Sequence, residues 1–271
     1  MSTSTDLDRV LNAPMHVEGM LTEASNLTLR VQFMDAGEST EHRGVYKPID
    51  GEAPLADFPT GTLAHREVAA YLISELGGWG LVPHTVLRDG PMGMGSVQVW
   101  KDVTELEGRP ASGLLDVVRP QEVPSGWLTV LEGEDRSGAP LRVVHRDDPD
   151  LAALAVLDAV LNNADRKAAH IALDASGHLW GFDHGLIGHV DPKLRTVLWG
   201  WAGTPLPERE LTRVRRLQRA LSDPQRTDET LGLLLTRSEM AALRMRVDTL
   251  VQTADFPDMP YGRYPLPWPL W

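Results

Sequence analysis

LNNADRKAAHIALDASGHLWGFDHG, residues 161–185, decides how this chain is read, because it sets two aspartates at the ends of two short elements with basic and imidazole groups between them. The apolar run LAALAVLDAVL (151–161) predicts a helix that stops at the polar Asn-Asn-Ala-Asp turn, so Asp165 falls just past a helix end. IALD (171–174) and HLWGF (178–182) then flank Ala-Ser-Gly and predict a β-hairpin, with Asp183 leaving its second strand. His184 and Gly185 follow, a small turn able to swing a carboxylate towards a bound ion. His170 stands five residues after Asp165, and Asp183 eighteen after it. A loop aspartate, a hairpin and a second aspartate, in that order, suit in-line phosphoryl transfer. Taken singly, either carboxylate would serve as an ordinary turn cap.

Upstream, the pattern is that of a small sheet with a helix. HVEGMLTEASNLTLRVQFM (16–34) alternates Leu27, Leu29, Val31 and Phe33 after a polar break and predicts a hairpin. GVYKP (44–48) predicts a second strand ended by its proline, and DGEAPLADFPTGT (50–62) a mobile loop. LAHREVAAYLISELGG predicts a helix with Val68, Leu72, Ile73 and Leu76 on one face and Gly77-Gly78 as its stop. LVPHTVLRD and GSVQVWKDV are the next strands, so the first hundred or so residues run strand, strand, helix, strand, strand. Residues 105–150 are loop-heavy and carry no assignable pattern. Beyond the aspartates, helices are expected near 208–221 and 238–253, and the proline-rich, aromatic C-terminus should lie extended against the body.

Several residues of the first half could belong to the same chemistry. Lys47, in mid-strand, either faces solvent or reaches into a cleft, and Glu67, twenty residues on in a helix with small and apolar neighbours, offers it a partner. Ser25 and Asn26, at the tip of the first hairpin, could cover phosphates or simply turn the chain. Gln98, Val99 and Trp100 occupy the place where main-chain groups of a hinge would bond adenine. Neither a GxGxxG nor a GxxxxGK[ST] fingerprint occurs.

Composition limits the partners. With 38 acidic against 26 basic residues the formal net charge is −12, which disfavours nucleic acid. The basic stretch RELTRVRRLQR (209–219) places Leu211, Val214 and Leu217 at helical spacing, so its arginines read as a solvated helix face. The absence of cysteine removes disulfides and thiolate metal sites. With no secretory leader and no run near the roughly 18 apolar residues of a membrane span, a cytoplasmic location is expected.

VYKP (45–48), REVAAYLISELGGWGLVPHT (66–85), NNADRKAAHI (162–171), GFDHG (181–185) and KLRTVLWGWAG (193–203) together resemble the atypical kinases of the phosphatidylinositol 3-/4-kinase-like superfamily, most closely a bacterial branch of small stand-alone domains. The resemblance covers most of the chain from about Ser25 onward. It implies an α+β, two-lobed atypical protein-kinase-like fold, with a flexible N-terminus (1–15), a β-rich N-lobe (16–104) and a mainly helical C-lobe (105–271). It further implies ATP with Mg²⁺ or Mn²⁺, Lys47 on the phosphates, Glu67 orienting Lys47, Asp165 on the acceptor hydroxyl and Asp183 on the metal. The acceptor would be a lipid or a protein alcohol. His170 stands where asparagine is usual, as a candidate second metal ligand, and His184 replaces the phenylalanine of Asp-Phe-Gly. A nucleotide-binding pseudokinase that regulates a partner, and a metal-dependent phosphohydrolase built on His145, His170, Asp165, Asp183, His184 and His189, are the competing readings.

Overall fold

The computed structural model describes residues 3–21, 26–103, 113–223, 225, 227, 229–260 and 264–271. The N-terminal region is a five-stranded antiparallel sheet of order β1-β2-β3-β5-β4, built from β1 (Met15–Met20), β2 (Leu29–Asp35), β3 (Glu38–Pro48), β4 (Thr85–Gly90) and β5 (Gly93–Val99). Strand alternation sorts its residues onto two faces. Phe33, Tyr46, Val86 and Val97 form a buried cluster with Val10 of helix α1 (Thr3–Asn12). Lys47 therefore points to the opposite face, towards helix α2 (Leu63–Gly77). The N-terminal segment, expected to be flexible, is thus a helix in residues 3–12, and Arg88 of β4 bonds the carbonyls of Val10 and Ala13 at 3.0 Å each.

α2 ends where its glycines predict, with Gly78 at φ 81° in the left-handed region that glycine adopts without penalty. Its first turn is held by Glu52, whose carboxylate accepts from the amides of Leu63 (3.1 Å) and Ala64 (2.9 Å), satisfying donors that the helix itself cannot. The segment 50–62, expected as a mobile loop, is accordingly tied down, and further on Asp57 pairs with Lys193 at 2.5 Å while Phe58 packs edge-on against His189.

The segment without a sequence pattern contains β6 (Leu115–Val118), β7 (Trp127–Glu134) and β8 (Pro140–Arg146), a three-stranded antiparallel sheet of order β6-β8-β7. The second region therefore opens with a sheet before it becomes helical. Its centre is α3 (Pro149–Leu161), in which every residue from Leu151 to Leu161 is buried, as an all-round apolar helix must be. Asp148 caps its start, accepting from the amides of Asp150 and Leu151, and Pro149 occupies the first turn. The hairpin of β9 (Ile171–Leu173) and β10 (Leu179–Gly181) follows. α4 (Glu208–Leu221) buries Leu211, Val214, Leu217 and Leu221 while Arg209, Arg215, Arg216 and Arg219 are exposed, and α5 (Arg237–Thr253) starts on a Thr236/Glu239 capping box. The C-terminal tail lies across the segment that follows Asp183, with Pro265 O accepting from Thr196 N (3.1 Å) and Trp199 Nε1 (2.8 Å), and Leu270 O from Ala168 N (2.9 Å). Among the described residues no helix is long and apolar enough to cross a membrane.

A polar cluster lies inside this core. Asp158, on the otherwise apolar α3, is fully buried and receives two bonds from Arg166 Nε (3.1 and 2.9 Å), one from Arg166 Nη2 (2.9 Å) and one from Asn163 Nδ2 (2.9 Å). Removing one member of a buried ion pair strands the other without water, at about 3–5 kcal/mol. Asp158→Leu should lower unfolding free energy by about that amount in guanidinium titrations; a loss below about 1 kcal/mol would show that the pair is not a support of the fold.

Candidate active site

Three separate elements converge on one ammonium. Lys47 of β3 pairs with Glu67 Oε1 of α2 in a short contact, and with Asp183 Oδ1, just past β10, at 2.8 Å. Glu67 is itself positioned on both sides, since its Oε2 accepts from the amide of His184 at 3.0 Å. Asp183 holds φ 53°, a left-handed conformation that costs a non-glycine residue energy and persists only where its surroundings enforce it. The enforcing group is Arg166. Its guanidinium, fully buried, bonds Asp158, the carbonyls of His170 (3.2 Å) and Phe182 (2.8 Å), and His184 Nε2 (2.7 Å), clamping the chain on both sides of the hairpin.

Asp165 begins the other half of the site. Its amide donates to Asn163 Oδ1 (3.0 Å), its carboxylate meets Lys167 Nζ (3.0 Å), and its carbonyl faces His170 Nδ1 at 3.0 Å. Because a carbonyl only accepts, Nδ1 carries the proton, leaving Nε2 as a lone pair directed at Asp183 Oδ2, 3.4 Å away. Two electron-rich atoms turned towards each other at that distance suit a shared cation. Imidazole nitrogen beside a carboxylate is a borderline-hard donor pair fitting Mn²⁺ or Mg²⁺. Among the described residues no group of three or more His, Asp or Glu side chains converges on one point, so phosphate oxygens and water would complete any coordination.

No family model matches the chain. Protein Rv2133c of Mycobacterium tuberculosis is 43% identical over 257 residues, covering 93% of this chain and 91% of the mycobacterial protein. The chain belongs to the Rv2133c family. Among solved structures, the Helicobacter pylori proinflammatory kinase CtkA aligns over 89% of this chain and 94% of its own, with a TM-score of 0.45 and 11% identity.

In this Rv2133c-family chain the charges of the site are strongly perturbed. Burial opposes the charge of Lys47, but the carboxylates of Asp183 and Glu67 outweigh it and hold the ammonium above its ordinary value. The same ammonium keeps the Asp183 carboxyl well below the usual carboxylate range, while burial pushes Glu67 up against Lys47. Burial takes His170 down to about 4, so it is neutral at pH 7. Burial also lifts Asp165, and the bond from Lys167 opposes that lift.

The structure thus brings together Lys47, Glu67, Asp183 and His170, with Asp165 bonded to His170 through its main chain. Other expected positions do not join them. Asn26 spends its side chain on the amide of Ala53 (2.7 Å), not on a phosphate cover, and Ser25 lies outside the described residues. Gln98 turns into the sheet and donates to Thr85 Oγ1 (2.8 Å). The amides of Val99 and Trp100 donate to His84 O and Arg43 O, so these two expected hinge donors are already engaged in holding the sheet. Of the proposed phosphohydrolase ligands, His145 is buried in β8, accepts from Gly200 N and packs at a tilt against Trp201, and His189 packs on Phe58. His184 is buried with Nε2 on Arg166.

The supporting roles of Asp158, Asn162 and Asn163 go unassigned in the sequence, where the two asparagines read only as the turn that ends the helix. A single aspartate inside LAALAVLDAVL was the available signal, since a lone carboxylate on a wholly apolar helix needs a buried partner. Asn162, at φ 54°, closes α3 and bonds the carbonyls of His189 and Asp191 and the amide of Lys193, fixing the segment after Asp183 to the helix end.

The Asp165–Lys167 pair yields a measurable consequence. An isotope-detected titration of the Asp165 carboxyl should give a midpoint above the unperturbed value of about 3.9, and Lys167→Met, which removes the opposing bond, should raise it further. Equal midpoints in the two proteins would show that Lys167 does not act on this carboxylate.

Proposed function

We propose that the chain is an ATP-dependent phosphotransferase of the phosphatidylinositol 3-/4-kinase-like type, acting on an alcohol. The observation that supports this best is the single ammonium of Lys47 shared between Glu67 and Asp183 from three elements. Strand lysine, helix glutamate and post-hairpin aspartate are the parts from which kinases build a phosphate clamp. A divalent ion held by Asp183 and His170 would neutralise charge on the phosphate oxygens. Lys47 binds those phosphates, and Glu67 keeps the ammonium in place. The acceptor oxygen forms its bond to the γ-phosphorus as the bond to the bridging oxygen breaks, ADP leaves with that electron pair, and the hydroxyl proton passes to Asp165. The lifted pKa of Asp165 suits it to take a proton better than an ordinary carboxylate would.

A nucleotide-binding pseudokinase is the second reading, favoured by the imidazole of His170 in a position where transfer enzymes of this type carry an amide. Incubation with γ-labelled ATP and divalent metal, with and without lipid extract or lysate, separates the two, because label on lipid or protein requires transfer. Asp165→Asn should lower transfer by about 10²–10⁴-fold with nucleotide binding retained, whereas Asp183→Ala should lose metal-dependent nucleotide binding. Both variants binding and turning over like the wild type would sink the assignment.

His170 makes a metal-specific prediction. With imidazole as ligand, Mn²⁺ should support nucleotide binding better than Mg²⁺, and His170→Asn should move the preference towards Mg²⁺. Protonation removes the lone pair, so metal-dependent binding should be full at neutral pH and fall as pH drops towards about 4. Identical metal preference in the two proteins would exclude direct ligation by this histidine.

A further inference from the structure

On the side of the molecule formed by the C-terminal end of α2 and the first half of α4 lies a groove of about 380 Å³, within the range of ligand sites. Gly77 and Gly78 form one wall, and Arg209, Thr212, Arg213 and Arg216 the other. These four stand at i, i+3, i+4 and i+7 and so share one face of α4, which sets three guanidiniums in a row over about 10 Å. The row is organised from inside. Glu210 is fully buried, and its carboxylate accepts from Arg209 Nε (2.8 Å), Arg213 Nη1 (2.8 Å) and Trp79 Nε1 (2.9 Å). One carboxylate thus fixes two of the arginines at the rim, and Arg209 is further tied to Pro149 O (2.6 Å) and Asp150 (3.1 Å).

Arg216 differs from its neighbours. Its guanidinium lies over Gly78, where a Cβ would come within 2.6 Å of Nη1, and among the described residues it makes neither hydrogen bond nor ion pair. The partial negative charge at the end of α2 favours a cation there without using its N–H donors. Arg216 therefore offers all of its N–H groups to the groove, and Arg213 those beyond Nη1. Residues 209–219 hold five arginines and one glutamate on a chain of net charge −12, so the field reverses sign at this face. Three features select the occupant. The cations form a row, so a single compact anion would meet one or two of them, whereas an extended chain with acidic side chains on alternate residues, about 6.5 Å apart, follows the row. Guanidinium forks match carboxylates in geometry. A bilayer does not fit, because Leu211, Val214, Leu217 and Leu221 are all turned into the core and leave the exposed face of α4 without an apolar anchor.

We propose that the groove between α2 and α4 is a docking site for an extended acidic segment of a partner protein, with its carboxylates on Arg213 and Arg216 and beside Arg209. Docking here does not depend on the phosphotransfer reading, so either can fail and leave the other standing.

Fluorescence anisotropy on the full chain would use a fluorescein-labelled peptide of alternating Glu and Asp as probe, with its Gln/Asn counterpart for comparison. Vesicles of phosphatidylglycerol and phosphatidylcholine form a separate arm. The acidic peptide should bind at least about tenfold more tightly than the neutral one, and less tightly as salt is added. Arg216→Gln, at an exposed residue whose removal breaks no bond within the protein, should weaken binding about threefold or more, and Arg213→Gln combined with it about tenfold or more. Arg215→Gln takes the same charge from the same helix outside the groove, and should change binding by less than about twofold. Equal losses in Arg215→Gln and Arg216→Gln would reduce the effect to net charge and overturn the groove. The proposal also falls if the two peptides bind alike, or if the vesicles bind and the acidic peptide does not. Self-association in light scattering that the double variant abolishes would assign this face to a second copy of the chain, and would overturn it as well.

Discussion

The site depends on a guanidinium that touches no water. Arg166 is buried on Asp158, and from there it reaches the carbonyls of His170 and Phe182 and the ring of His184. Burying such a charge is unfavourable unless its donors are met, and here the aspartate, two carbonyls and an imidazole nitrogen meet them. The consequence is geometric: the loop carrying Asp165 and the turn carrying Asp183 are bound to the same atom group, which is anchored in the most buried helix of the chain. The strained φ of Asp183 is affordable because that anchoring is independent of anything bound in the cleft.

A second buried guanidinium fixes the helix opposite. Arg66, next to Glu67 on α2, donates to Ile187 O (2.6 Å) and pairs with Glu239 at the start of α5 (2.5 Å), while Phe58 lies against its face. Together with Glu52 at its first turn, this leaves α2 little freedom to rotate Glu67 away from Lys47. The Lys47 pairing is therefore a property of the fold at rest, set by two arginines that lie outside the cleft.

Much of this was legible in the sequence, and the failures have physical causes. The sheet, α2 and the hairpin announced themselves through alternating or one-faced apolar patterns and α3 through an apolar run long enough for a helix, and Gly77-Gly78 and Asn162 marked real helix ends. β6 to β8 were not legible: β7 is exposed along most of its length, WLTVLEGE, so its residues carry no alternation to read. α1 was missed because a short polar helix is stabilised by docking, through Val10 and Arg88, and not by its own propensity. In the site, Lys47 and Glu67 were found through their spacing and the two aspartates through their order. The expected hinge donors illustrate what a sequence hides: backbone donors look available there, and only the folded register shows that the amides of Val99 and Trp100 bond His84 O and Arg43 O in the sheet.

His170 joins the two halves of the proposed chemistry in a way an asparagine need not. Its Nδ1 donates to the carbonyl of Asp165, so its tautomer is set by the same residue whose carboxylate would accept the acceptor proton. That donation turns Nε2 towards Asp183 as a bare lone pair, and burial keeps it unprotonated at neutral pH. A cation drawn in by Nε2 and Asp183 would also tighten the Nδ1 bond, because a ring that gives up electron density at one nitrogen becomes a stronger donor at the other. Ion occupancy and the position of the Asp165 main chain are then linked through one ring. On the proposed reading the departure from asparagine would couple the cation to the acceptor side, and Arg166, bonded to the His170 carbonyl, would hold the frame for it.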